Sequence, residues 1–276
     1  MPDLAIEQLL AESAAAGPQV TARSPGLRDE WVPDLLRLCT AFGVPLADTF
    51  LPPCVFAQPV GKKHVAVVTV TADGSPPRLR YHALVMARSL YATIGDPFAL
   101  AEQFPAPWGT TVALPTLAWL EGPPPSRTVA QVQRVLQEDD SATLLGGTQA
   151  LLDGSRLAFE RPFPAPDLMR RLWSLLPDST RAELWPASYV LGPGLELHAV
   201  VVPALDAKDW PNYLTEQQAG DYPDGRYEHS LQVAAEAEDQ HGIDQLFARR
   251  TSRQTLQLAV AILLFAIVAS LLTQLL

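Results

Sequence analysis

Apolar and polar residues alternate in short runs as far as Arg253, and then the alternation stops: Thr255 to Leu276 holds no charged residue. Upstream of that point the runs read as elements of a folded head. Residues 4–15 (Leu-Ala-Ile-Glu-Gln-Leu-Leu-Ala-Glu-Ser-Ala-Ala) predict a short amphipathic helix closed by Gly17-Pro18. Trp31, Leu35, Leu38 and Phe42 stand at helical spacing and predict a second helix over 27–42, which Pro33 allows to begin there instead. The stretch Pro45–Pro59 holds four prolines and predicts a loop over the core. His64–Thr71 and Leu79–Met86 flank Ala-Asp-Gly-Ser-Pro-Pro-Arg and predict a β-hairpin, with a first strand apolar enough to lie mid-sheet.

The pattern then turns mostly helical. Arg88–Ile94 reads as a helix, and Gly95-Asp-Pro-Phe98 opens another. Phe104–Pro125, with Trp108 and Trp119, reads as a packed irregular stretch. Thr128-Val-Ala-Gln131 is a capping box that opens a helix to Leu136, and Ser141–Leu152 is a further helix carrying Gly146-Gly147. A β-α-β rhythm follows: strand Arg156–Glu160, helix Pro166–Leu176, strands Glu183–Leu191 and Leu195–Val202. Residues 207–225 read as a loop closing in the turn Tyr222-Pro-Asp-Gly225, before helices at Tyr227–Glu238 and Ile243–Arg250. The expected organisation is an N-terminal helical segment (1–45), a mixed α+β head with a hairpin and a β-α-β stretch (46–250), a basic linker (251–254) and one C-terminal transmembrane helix (255–276).

The C-terminal run carries the strongest expectation. Its 22 residues, at about 1.5 Å each, reach roughly 33 Å as a helix, enough for a hydrocarbon core of about 30 Å. Thirteen of the 22 are Leu, Ile, Val or Phe, each favouring the bilayer centre by about 0.3 to 0.6 kcal/mol. Leu256, Leu258, Ile262, Phe265 and Leu272 represent that anchor. Arg249, Arg250 and Arg253 stand before it and no charge follows, so the positive-inside bias places the head in the cytoplasm. The N-terminus, with no basic start and no long apolar run, does not read as a signal peptide. The expectation is a tail-anchored, single-pass protein of a bacterial inner membrane, with the lipid bilayer as one partner. Ala266 and Ser270 form a small-xxx-small pair, which leaves association of spans open.

Composition narrows the function classes. Thirty acidic against twenty basic residues give a net charge of -10. The basic residues form dipeptides such as Lys62-Lys63 and Arg170-Arg171, with no stripe, which argues against a nucleic-acid partner. Seventeen Arg against three Lys, and a single Asn, fit a GC-rich bacterial genome. Cys39 and Cys54 lie in apolar surroundings with no CxxC, and read as buried reduced thiols.

The search for chemistry finds no P-loop, GxGxxG, HExxH, GxSxG or EF-hand loop. His64 and His82 share the hairpin but pair near residues 86 and 68 and do not face each other. His198, in Leu-Glu-Leu-His-Ala-Val, reads as a strand histidine with its hydrogen bonds met. Asp139 and Asp140, inside Glu138-Asp139-Asp140, are weak Mg²⁺ candidates at a helix start, where acids also complement the helix dipole. Gly146-Gly147 reads as a close helix contact or a break. Trp210, Tyr213, Tyr222 and Tyr227 read either as a recognition surface or as core beneath a long loop.

Leu172-Trp-Ser-Leu-Leu-Pro-Asp-Ser-Thr-Arg181, followed by a strand, resembles a segment in the N-terminal domain of bacterial GTPase-associated protein 1. The likeness covers Ala150 to Pro203. Tyr91–Phe98 and Gln217–Arg226 resemble bacterial membrane-tethered proteins of no assigned activity. Neither resemblance implies a functional residue. No cofactor is expected. The functional expectation is a non-enzymatic adaptor that recruits another protein to the membrane; the alternative is a membrane-tethered enzyme or small-ligand sensor acting with Mg²⁺.

Overall fold

The computed structural model describes residues 4–44, 51–74, 77–109, 113–120, 127–223 and 225–249, and Val260, Ile262 and Leu263 beyond them. One mixed sheet organises the head. Its strands are β1 (Ala5–Ala14), β2 (Gly17–Arg23), β3 (Leu51–Val60), β4 (His64–Asp73), β5 (Arg78–Ala87), β6 (Leu117–Ala118), β7 (Arg156–Glu160), β8 (Pro186–Ala187), β9 (Ala199–Val202) and β10 (Tyr213–Leu214). The order across the sheet is β10-β7-β9-β8-β3-β4-β5-β1-β2, with β6 paired to β1. Strands β3, β4, β5, β1 and β2 form an antiparallel block, and β10, β7, β9 and β8 a parallel one. The mixed α+β class stands.

The helices are α1 (Val32–Ala41), α2 (Arg88–Ile94), α3 (Pro97–Gln103), α4 (Val129–Leu136), α5 (Ser141–Leu152), α6 (Pro166–Leu175), α7 (Asp178–Arg181), α8 (Glu216–Gly220), α9 (Arg226–Glu236) and α10 (Gln240–Phe247). Pro33 sits in the first turn of α1, the later of the two starts its position allowed. The Thr128–Gln131 capping box forms with both reciprocal bonds. Phe42, at the end of α1, packs on Phe56 and Tyr81 from the antiparallel block.

The segment expected as a helix over 4–15 is a strand, so residues 5–23 are part of the sheet and not of a helical segment. Ile6, Leu9 and Leu10 fit helical spacing, but β1 lies inside the sheet with both faces covered, so residues 6–11 are buried without alternation. Its two buried polar residues are satisfied at long range. Glu7 accepts from Ser24 Oγ (2.5 Å) and Thr116 Oγ1 (3.0 Å), and Gln8 bonds His82 and Pro115. The proline-rich loop expected before the hairpin is strand β3 from Leu51 onward; residues 45–50 lie outside the described residues. Its ladder with β4 shifts register between Leu51 and Cys54, which accommodates Pro52 and Pro53 at a bulge.

Other boundaries moved less. The hairpin pairs His82 with Thr69 and His64 with Ala87, one residue from the expected register. The strands expected over 183–191 and 195–202 shorten to β8 and β9. The loop expected over 207–225 contains β10 and α8. Gly146 and Gly147 sit inside an unbroken α5: a Cβ on Gly146 would stand 2.1 Å from the Ala219 carbonyl oxygen, and one on Gly147 2.9 Å from Leu157 Cδ1. Close packing, of Gly146 against α8 and of Gly147 against β7, is therefore their reason.

The two blocks meet where β3 crosses β8 at a single pair, Phe56 opposite Ala187. Ser188, fully buried, extends that seam. Its N–H donates to the Val55 carbonyl (2.8 Å), and its Oγ accepts from the Val55 N–H (2.8 Å). Gln58 Nε2 donates across the same seam to the Glu196 carbonyl. Replacing Ser188 by Ala leaves the Val55 N–H buried without an acceptor, which predicts a loss of about 1 to 3 kcal/mol in urea denaturation. Gly146→Ala should destabilise by a similar amount, about 1 to 3 kcal/mol, because backbone must move to admit the methyl group.

Candidate functional site

The chain leaves the head at a face built by α6, α7, α9 and α10. The C-terminus of α6 is the base of this face, and its last carbonyls are capped from outside the helix. Arg127 Nη1 donates to the Ser174 (2.7 Å) and Leu176 (2.5 Å) carbonyls, and Tyr227 Oη to the Leu175 carbonyl (2.6 Å). Arg127 also donates to Asp178 Oδ1 (2.6 Å), and its guanidinium lies 3.4 Å from the centre of the Phe247 ring on α10. Burial, and the charge of Arg181 nearby, lower the Arg127 pKa to about 10, still well above neutrality.

Arg181 closes the other side. It is 7% exposed, and its Nε donates to the Gly95 carbonyl (2.8 Å), which also accepts from Trp173 Nε1 (3.0 Å). Gly95 adopts the left-handed conformation that ends α2 and turns its carbonyl toward α6. Arg181 also pairs with Asp96 (3.4 Å) and Asp178 (3.7 Å). Finally, Ser179 Oγ donates to the Arg249 carbonyl at 2.6 Å. The last described residue of the head is thus tied to α7, and Phe247 just before it is held in the core beneath Arg127.

This arrangement positions chain. Among the described residues, no group of three or more His, Cys, Asp or Glu could hold a metal ion. Asp140 is engaged by Arg171 through two bonds (2.6 and 2.8 Å), while Asp139 is exposed. The four aromatics do not form one surface. Trp210 and Tyr227 are buried, Trp210 stacks edge-on against Tyr213 at 5.0 Å, and Tyr213 Oη donates to the Leu197 carbonyl. Tyr222 bonds Asp153. Core beneath a loop is the better description. Of the basic residues before the apolar run, Arg249 is exposed on this face; Arg250 and Arg253 lie outside the described residues. So do Leu256, Leu258, Phe265 and Leu272, whereas Ile262 is helical and exposed beside Val260 and Leu263. No helix among the described residues is long and apolar enough to cross a membrane.

Cys39 and Cys54 are free and buried, and burial pushes the Cys39 thiol up to about 12 and the Cys54 thiol higher still. His82 and His198 are structural. Gln8 uses its amide nitrogen on the Pro115 carbonyl, so its Oε1 must accept, and His82 Nε2 donates to it at 2.9 Å. His198 Nδ1 accepts from the Trp185 backbone N–H (3.0 Å), while the His198 backbone N–H donates to the Trp185 carbonyl (2.8 Å). Burial lowers both pKa values to about 4, with the Arg156 charge a smaller cause at His198.

Arg127, Arg181, Ser179 and Gly95 were invisible as a set, since they come from three segments of chain and match no motif. The Leu172–Arg181 stretch is the exception: its Leu-Leu-Pro ends α6 and its Arg reaches Gly95, so those features serve the fold.

Both histidines are neutral in the folded head and free to take a proton when it unfolds. Stability from them is complete above pH 6.5 and falls as pH drops toward 4. For His82 alone the full loss is on the order of 3 kcal/mol. Urea midpoints measured from pH 7.5 to 4.5 should fall in the wild-type chain and fall less steeply in His82→Gln. Asp140→Asn should leave Arg171 half-paired, costing about 1 kcal/mol or less in thermal denaturation, with the same response to Mg²⁺ as the wild-type chain. No protein-family profile matches the chain, and no curated protein matches it.

Proposed function

We propose that the chain is a membrane-anchored, non-enzymatic adaptor. Residues 255–276 cross the bilayer, and the head stands in the cytoplasm to hold another protein at the membrane. The observation that carries the reading is the pinned exit. Arg249 is fastened to α7, and only residues 250–254 separate it from the uncharged apolar run. Five residues, even fully extended, span about 17 Å. The α7–α10 face is therefore held toward the bilayer, and the opposite side of the sheet faces the cytoplasm. Arg249, Arg250 and Arg253 would meet anionic headgroups, while the net charge of -10 keeps the head from lying flat on them. Asp140, His82 and His198 are engaged within the fold, which supports recruitment over an enzyme or Mg²⁺-dependent sensor.

The test is recovery from native membranes. The full chain should sediment with membranes, resist extraction by high salt and co-purify after crosslinking with one partner in near-stoichiometric amount. A chain ending at Arg250 should be released and lose most of that partner. Recovery of no partner in either form would overturn the adaptor reading, and retention of the shortened chain on membranes would overturn the anchor.

A further inference from the structure

The exit face carries a groove of about 550 Å³ between α9 and α10, within the usual range of small-molecule sites, about 300 to 1,000 Å³. The two helices are joined by a short turn at residues 237–239 and run back along each other. Contacts at both ends fix this arrangement. Near the turn, a Cβ on Gly242 would stand 3.5 Å from Ala234 Cβ. At the other end, burial raises the Tyr227 pKa while Arg127 and, more weakly, Arg249 oppose it, so the end of α10 lies beside the first turn of α9.

The groove is therefore polarised along its length. Arg249 and His229, both exposed, line the exit end; Val233, Leu246 and Ala237 carry the lining on toward the turn. The other polar groups of the lining are committed within the fold. Ser230 Oγ donates to the Arg226 carbonyl (2.7 Å), Gln245 is bonded to His241 (2.7 Å), and Asp239, at the turn end, accepts from the Gly242 N–H (2.9 Å). Among the described residues no ion pair engages the Arg249 guanidinium. A cation and an imidazole donor thus stand at one end of an apolar path on which Val233 remains 49% exposed. That is the polarity of a single-chain anionic amphiphile, and a guanidinium holds a carboxylate with two parallel bonds. From His229 to Ala237 the groove follows eight residues of α9, a length of about 12 Å. With carbon–carbon bonds near 1.52 Å, an extended alkyl chain of about ten carbons has that length.

We infer that the α9–α10 groove binds a medium-chain fatty carboxylate, with the carboxylate on Arg249 and His229 and the alkyl chain along Val233, Leu246 and Ala237. The lining explains both halves of the ligand: the apolar path gains from each methylene it covers, and the charge at its end selects an acid over a neutral chain. The inference makes no use of the reading of residues 255–276, so either can fail alone.

The experiment uses the full chain made by cell-free translation in the presence of phosphatidylcholine nanodiscs. The probe is decanoate carrying a photoreactive diazirine at its far end, and labelled peptides are mapped by mass spectrometry. Label should concentrate on Val233, Ala237 and Leu246. Val233→Trp, which fills the groove, and Arg249→Gln, which removes the cation, should each lower it about tenfold. Ala237→Leu fills the groove at a second exposed position, so the result does not hang on one variant, and circular dichroism and melting temperature check that each is folded. Lys62→Gln, in the exposed turn between β3 and β4, should leave the label unchanged. Competition by unlabelled hexanoate, octanoate and decanoate should strengthen about fivefold per two-carbon step, and decanol should compete at least about tenfold more weakly than decanoate. Label that persists in both groove-filling variants overturns the site, as does label confined to residues 255–276, which reports only fatty acid dissolved in the bilayer. Equal competition by decanol, or label unchanged in Arg249→Gln, overturns the carboxylate ligand. A chain-length series with no trend overturns the apolar path.

Discussion

The parallel half of the sheet joins the antiparallel half through one residue pair, which a buried hydroxyl extends. Phe56 faces Ala187, and Ser188 then answers both the N–H and the C=O of Val55. A buried backbone N–H costs as much unpaired as a hydrogen bond is worth, so a short seam is stable only if every group in it has a partner. Ser188 meets that condition by substituting a side-chain oxygen for a ladder carbonyl. This allows β8 to be two residues long and still join a ten-stranded sheet. Strands β9, β7 and β10 and the helices packed on them take their positions from that seam.

The same economy recurs at the exit face. The carbonyls at the end of α6 are buried and must be satisfied, and Arg127 and Tyr227 supply the donors. Both then become part of the wall that supports α10: Arg127 over Phe247, and Tyr227 as the first buried residue of α9. One requirement, capping a helix end, thus fixes the last two helices and the residue at which the chain departs. The polar groups that attract notice in sequence are engaged in comparable ways: Asp140 with Arg171, Glu7 with Ser24 and Thr116, and His198 with Trp185.

Local signals were legible wherever one stretch of chain decides its own conformation. The hairpin, the Thr128 capping box, the helix through Gly146-Gly147 and strand Arg156–Glu160 all formed at or near their expected bounds. The buried thiols followed from their apolar neighbours in the same way. The apolar, charge-free character of Thr255–Leu276 belongs to this class too, since it depends on no other part of the chain.

Tertiary structure decided the rest, for two physical reasons. A strand covered on both faces loses its alternation, so Ile6, Leu9 and Leu10 in β1 imitate a helix until β5 and β2 are placed beside it. Prolines suggest a loop until a bulge and a two-residue neighbour make room for them, as in β3. The exit face is the extreme case, because Gly95, Arg127, Arg249 and the α7 pair Ser179 and Arg181 converge from four segments of chain. By itself the sequence determined the local elements and the apolar run that follows the head. Only the fold decided how Arg249, upstream of that run, is held, because the bond that holds it is made between residues far apart in the chain.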